Sequence, residues 1–129
     1  MWDHEVPRDH GSVAIEAVLV VPVVMVILFL VVQFALWAHA AQVAQLAASE
    51  GDRSARSLGG SPAAGVSRAQ SVLQGPGSDL ASSDVVVAVI PGDLVRITVT
   101  GRAVTILPGL SLPVSAVQVG PIQEFRGSE

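Results

Sequence analysis

The sequence contains no cysteine and no lysine, and only 4 % of its residues are aromatic. Without cysteine the chain can form no disulfide framework, no thiolate site and no iron–sulfur cluster. Its 7 basic residues are all arginine and are outnumbered by 11 acids, which gives a formal net charge of -4. We therefore expect no basic patch for anionic lipid and no nucleic-acid partner.

What the chain does contain is apolar: 50 % of it is hydrophobic and only 14 % is charged. The run 17–38 has 22 residues without a charge, and Gln33 is its only strongly polar side chain. A helix of this length spans ~33 Å, close to the ~30 Å thickness of bilayer hydrocarbon. Pro22 is expected to bend this helix without ending it, and Trp37 and His39 mark its far boundary. The sequence thus predicts one transmembrane helix.

The helix is predicted to continue past the membrane as a stalk, because the stretch HAAQVAQLAASEGDRSARSLGG has few helix breakers and a high helix propensity. We assign the membrane helix and the stalk together to residues 12–58. Ala40, Ala44 and Ala48 lie four residues apart on one stripe, so a second helix could pack closely against them. The alternative is that these alanines reflect helix propensity alone.

Residues 59–129 are predicted to form a small domain outside the membrane. Ser61 is expected to cap a short helix over residues 62–74, with Pro62 in its first position. Three β-rich runs follow, at residues 84–90, 94–100 and 114–119. The first two flank the turn sequence PGD, which is typical of a hairpin, and the third could add another strand.

Alternation in the second β-rich run predicts which face of the sheet is buried. Val95, Ile97 and Val99 alternate with polar residues, so these three side chains should point into the core. We expect this core face to pack on the short helix. The chain is therefore predicted to be α+β, with a long N-terminal helix, a short helix and a small antiparallel sheet.

The N-terminus differs from an ordinary secretory signal, in which a basic segment precedes a short apolar stretch and the cleavage site comes last. Here residues 1–11 carry three acids against Arg8, and the apolar run is too long. The stretch DHGSVAIEAV instead indicates a polar leader that ends at Gly11, before the apolar run, and it places Glu16 at the start of that run.

Gly11 followed by SVAIE resembles the processing site of type IV pilin-like precursors, in which a prepilin peptidase cuts after glycine and glutamate is the fifth mature residue. The longer stretch GSVAIEAVLVVPVVMVILFLVVQFALWAHAAQVAQLAASEGDRSA resembles the N-terminal module of the TadE-like family of tight-adherence pilus assembly proteins. The resemblance covers residues 9–56. It implies removal of residues 1–11, cleavage between Gly11 and Ser12, and a non-enzymatic, pseudopilin function. The resemblance also leads us to expect a second acid near the outer end of the span, and Gln33 is a departure from that pattern.

The same resemblance implies the partners and the location of the protein. The partners would be a prepilin peptidase, other pilin-like subunits and pilus assembly platform proteins. The chain would cross the cytoplasmic membrane once, with its N-terminus cytoplasmic and its C-terminal domain extracytoplasmic. Arg8 on one side against Arg53 and Arg56 on the other favours the reverse orientation, but the peptidase must reach Gly11 from the cytoplasmic face.

Glu16 needs a reason to stand at the start of an apolar run, since an ionised side chain costs roughly 2.5 to 3.5 kcal/mol at mid-helix in a bilayer and less near its edge. Cleavage would give Ser12 an α-amine with a reference pKa of roughly 7.7 to 8.0, one helical turn from Glu16. Glu16 could then pair with the amine of its own chain or of a neighbouring subunit. The alternative is a hydrated carboxylate in the headgroup zone.

No catalytic or metal-binding constellation is found in the sequence. The three histidines are scattered, two in the leader and one at the membrane boundary. Asp79, Asp84 and Asp93 stand at turns and strand starts, where aspartate is usually a cap. We therefore predict no enzyme activity and no cofactor or metal. The alternative function is an uncleaved single-pass anchor whose β-rich domain binds an envelope ligand.

Overall fold

The computed structural model describes residues 9–57 and 59–121, which form two helices and one sheet. The elements are α1 (Asp9–Arg56), α2 (Pro62–Leu73), β1 (Leu80–Ile90), β2 (Leu94–Ala103) and β3 (Pro113–Pro121). The sheet is antiparallel, with strand order β1-β2-β3. The predicted α+β class is confirmed, while most of the predicted leader and the last eight residues lie outside the described part of the chain.

Helix α1 has 48 residues and runs without interruption through Pro22. Its two halves have different environments. Every side chain over residues 11–32 is exposed, whereas residues 33–56 contribute most of the buried alanines of the core. The N-terminal half of α1 is therefore apolar and exposed, whereas its C-terminal half is part of the folded domain.

Helix α2 begins as its local sequence predicts. Ser61 is extended, its Oγ accepts a hydrogen bond from Ala64 N at 3.1 Å, and Pro62 occupies the first helical position. The helix packs tightly on α1, because a Cβ added at Gly51 would lie 2.8 Å from Gly65 O. Glycine at this crossing lets the two backbones approach closely.

The predicted hairpin and the third strand are both present. Ile90 pairs with Leu94 across the PGD turn, in which Asp93 has a φ of 57°. Strand β1 begins at Leu80, four residues earlier than predicted, because the polar residues that follow form the exposed start of an edge strand. The buried face of β2 is as predicted, with Val95, Ile97 and Val99 fully buried.

The partner of that buried face differs from the prediction. The sheet packs chiefly on α1, which contacts both β2 and β3, while α2 contacts mainly β1. Residues 33–56 provide a longer surface than the short helix, and its small alanine side chains let the strands approach closely. The core is therefore shared between the stalk and the sheet.

Candidate functional site

The first candidate site is the exposed apolar half of α1. Its large side chains are between 43 % exposed, at Val24, and 71 % exposed, at Val18. A helix buried in the core of a water-soluble protein would show the opposite. Residues 11–32 span about 33 Å at the helical rise, so this end of α1 is long and apolar enough to cross a membrane.

Gly11, Ser12 and Glu16, the residues predicted to be cut or paired, lie in the first turns of α1. Gly11 and Glu16 are both exposed, and Ser12 precedes Glu16 by four residues, which places them on one helical face. Beyond its chain neighbours and the adjacent backbone of α1, no described atom lies within 4 Å of a Cβ built on Gly11. Since Gly11 is helical, a peptidase that binds an extended substrate must first unwind the beginning of α1.

The alanine stripe predicted for helix packing is buried inside the chain itself. Ala40, Ala44 and Ala48 are at most 1 % exposed and belong to the core under the sheet. The helix that crosses this end of α1 is α2, at Gly51. In this fold the stripe is covered by the chain's own domain, and the surface open to other helices is the apolar half of α1.

Gln33 has a role that its sequence position did not reveal. It is only 2 % exposed, although it lies within the apolar run. Its Nε2 donates to Val104 O at 3.2 Å, and its Oε1 accepts from Ile106 N at 3.0 Å. The side-chain amide thus satisfies a backbone acceptor and a backbone donor of the segment after β2. An ionised carboxylate could replace only the acceptor.

Trp37 and His39, predicted to mark the membrane boundary, also hold the domain on α1. Trp37 Nε1 donates to Pro113 O at 3.3 Å, and its ring centroid lies 5.8 Å from that of Phe34. His39 Nε2 lies 2.7 Å from Gly77 O and donates to it when that nitrogen carries the proton. These contacts and those of Gln33 all lie at the end of the domain that is closest to the apolar half of α1.

An ion pair within α1 lies at the opposite end of the domain. Arg56 Nε and one terminal nitrogen donate to Asp52 Oδ2 at 3.0 and 2.7 Å. A Cβ at Gly120 would lie 2.6 Å from Arg56 Nε, so the strand passes directly over the guanidinium. Asp52 Oδ1 is buried without a hydrogen-bond partner among the described residues. The ion pair is therefore internal to α1, and β3 contacts it through the close packing of Gly120 on Arg56.

Two of the three aspartates predicted to be caps lie where such residues are expected: Asp79 directly precedes β1 and Asp93 lies in the PGD turn, with φ values of 44° and 57°. The prediction is wrong for Asp84, which lies inside β1, where its Oδ1 accepts from Val85 N at 2.9 Å. Over the described residues no group of three or more potential ligand side chains could hold a metal ion.

Comparison with known proteins relates part of the chain to a protein family. Residues 11–53, about a third of the chain, match the family model described as TadE-like protein. The matched segment lies entirely within α1, and it confirms the resemblance noted from the sequence. No curated protein and no solved structure matches the chain.

Proposed function

We propose that this chain, a TadE-like protein over residues 11–53, is a non-enzymatic, pilin-like component of a tight-adherence or type IV-like pilus or secretion system. The family match supports a pilus-associated membrane protein. The pilin-like mechanism goes further: a prepilin peptidase removes residues 1–11, and the new N-terminal helix then packs with those of other subunits.

The observation that carries this proposal is the sharp division of α1 at Gln33. Gln33 is the first described side chain of α1 that is buried, and residues 11–32 extend from the domain with every side chain exposed. Such a surface is not stable in water, because each large apolar side chain that stays exposed forgoes roughly 1.5 to 3 kcal/mol of burial energy. The bilayer covers it before assembly, and neighbouring helices cover part of it afterwards.

Cleavage would give Glu16 a counter-charge at the new N-terminus. The α-amine of Ser12 would form one turn before Glu16, at the positive end of the helix. A carboxylate and an amine that enter a dry helix bundle together neutralise each other, whereas either alone is a buried, unpaired charge. Pairing therefore matters most when the processed helix joins its neighbours.

Glu16→Ala tests this role. The variant should still be processed, because its glycine and leader are intact, but it should associate with other subunits at least about tenfold less, which corresponds to a loss of ~1.4 kcal/mol. Glu16→Asp, which keeps the charge, is the matched control. Because the chain has no cysteine, a single Val20→Cys placed in each background reports association by disulfide crosslinking in membranes.

The comparison is made only on protein whose N-terminus is Ser12. Reduced crosslinking of Glu16→Ala together with normal crosslinking of Glu16→Asp supports pairing. Equal crosslinking of both variants and the unsubstituted background would contradict it and would make Glu16 a hydrated residue at the membrane edge.

A further inference from the structure

We propose that the segment between β2 and β3, residues 104–112, dips its apolar side chains into the bilayer beside α1, so that the domain is held against the membrane surface at a second point. We call this segment the β2–β3 loop. The inference rests on the proposed membrane anchoring by α1, and its partner is the lipid of the leaflet on the side of the domain.

The β2–β3 loop is an exposed apolar surface without charge. The sequence has no charged residue between Arg102 and Glu124. Val104, Ile106 and Leu110 are 38 %, 45 % and 36 % exposed, although loops of water-soluble domains are usually polar at such positions. The chain thus leaves large aliphatic side chains uncovered in one loop, at the end of the domain that is closest to the apolar helix.

The loop surface is continuous with the apolar face of α1. Between them lies an apolar groove of about 390 Å³. It is lined by Leu30, Gln33, Phe34, Trp37, Leu110 and Leu112. Since Phe34 and Leu30 also face outward on the bare helix, a lipid chain that lies along α1 would run directly into the groove.

The depth at which α1 would place the β2–β3 loop in the bilayer agrees with contact between the loop and lipid. From Glu16 to Gln33 the helix rises about 25 Å, and a hydrocarbon layer of ~30 Å that begins at Glu16 would end near residue 36 of an untilted helix. Gln33, to which the loop is hydrogen-bonded, then lies about 5 Å inside the hydrocarbon edge. Trp37 stands where interfacial tryptophans concentrate.

The loop backbone is also prepared for an environment with little water. Irregular backbone survives at membrane depth only where its polar groups find partners within the protein. Gln33 satisfies Val104 O and Ile106 N, and Leu110 N donates to Leu107 O at 3.4 Å. We call these two hydrogen bonds of Gln33 the Gln33 clamp. The clamp lets the loop enter the membrane interface without leaving Val104 O and Ile106 N unpaired.

Single cysteines carrying the fluorophore NBD test the proposal in the full chain, reconstituted in phosphatidylcholine vesicles with and without lipids spin-labelled near the headgroup. The loop position is Ile106→Cys. Leu28→Cys reports whether α1 spans the bilayer, with spin labels deep in the acyl chain as its quencher. Val119→Cys is the matched control, since it is 47 % exposed on the sheet, next to the end that Arg56 closes.

The proposal predicts that NBD at Ile106 loses most of its fluorescence to shallow spin labels, while NBD at Val119 loses almost none. Quenching at Leu28 without quenching at Ile106 would overturn the loop insertion and leave the anchoring intact. No quenching at Leu28 would instead contradict the anchoring itself. The NBD emission at Ile106 could instead be blue-shifted but not quenched, and return to its wavelength in water as the protein-to-lipid ratio is lowered. That result would mean that a second copy of the chain covers the loop, and the proposal would be wrong.

Discussion

Gln33 illustrates how one side chain in an apolar run can belong to the folded domain and not to the lipid. In the sequence it is the polar exception of a predicted transmembrane helix. In the structure the nitrogen and the oxygen of its side-chain amide are hydrogen-bonded to backbone atoms 71 and 73 residues away along the chain. That pairing could not be predicted, because no local pattern links a helix residue to a distant loop.

The clamp leads to a prediction for Gln33→Leu, which removes both hydrogen bonds and leaves Val104 O and Ile106 N unpaired. The variant should lose about 1 to 3 kcal/mol of domain stability, and the Ile106 amide should exchange its hydrogen faster. Gln33→Glu keeps the acceptor, so it should protect the Ile106 amide better than Gln33→Leu does. Hydrogen exchange in detergent micelles measures both effects, with the exposed Gln42→Leu as control. Unchanged exchange in Gln33→Leu would contradict the clamp.

Gly11 carries a prediction about processing and not about folding. Because a Cβ on Gly11 meets no described atom within 4 Å beyond its own chain neighbours and the adjacent helix backbone, Gly11→Val fits the folded chain, and it should not weaken the helix because glycine has the lower helix propensity. The same side chain should block a close approach of the extended backbone to a peptidase. We expect unprocessed protein that resists alkaline extraction from membranes as wild type does. A normal Ser12 N-terminus in this variant would rule out the assigned cleavage site.

At the scale of elements, the parts with local signals were predicted from the sequence and the parts that depend on distant packing were not. Ser61 and Pro62 define the start of α2, and the PGD turn defines the hairpin, because capping and turn chemistry act within a few residues. The helix that packs on the buried face of the sheet was predicted to be α2, whereas it is chiefly α1. Alanines such as Ala44 are favourable in an exposed helix and also in a helix that packs closely on another element. The sequence therefore does not indicate which element covers them.

The sheet supplies a matched pair of substitutions. Val99→Asp places a carboxylate in the core, where Val99 is 0 % exposed, whereas Val117→Asp places it on the outer face, at 52 % exposure. Since the core is small, an unpaired buried charge should unfold the domain, with a loss of more than about 4 kcal/mol, while the outer substitution changes stability by about 0.5 kcal/mol or less. Urea titration of the full chain carrying Trp2→Phe, so that Trp37 is the remaining tryptophan, measures this by fluorescence. Equal midpoints would contradict the assigned inner face.

At the scale of the whole molecule, α1 is divided into two parts with different surroundings. Residues 33–56 carry the folded domain, and residues 11–32 are exposed and belong to the part of α1 that is long and apolar enough to cross a membrane. The fold could be predicted broadly from hydropathy and turn signals, but the candidate site could not be derived from packing, since Gly11 and Glu16 are exposed and the domain does not restrain them. Their meaning comes from the resemblance of the segment to processed precursors and from the physics of a charge at the membrane edge.

The most direct test of the account is the N-terminal residue of the protein recovered from membranes. Mass spectrometry of the intact chain, from cells with and without an active prepilin peptidase of a tight-adherence system, reads it without any substitution. The account predicts a chain that begins at Ser12 when the peptidase is active and one that retains residues 1–11 when it is not. A membrane protein that keeps its leader in the presence of the peptidase would contradict the proposed maturation and favour an uncleaved anchor.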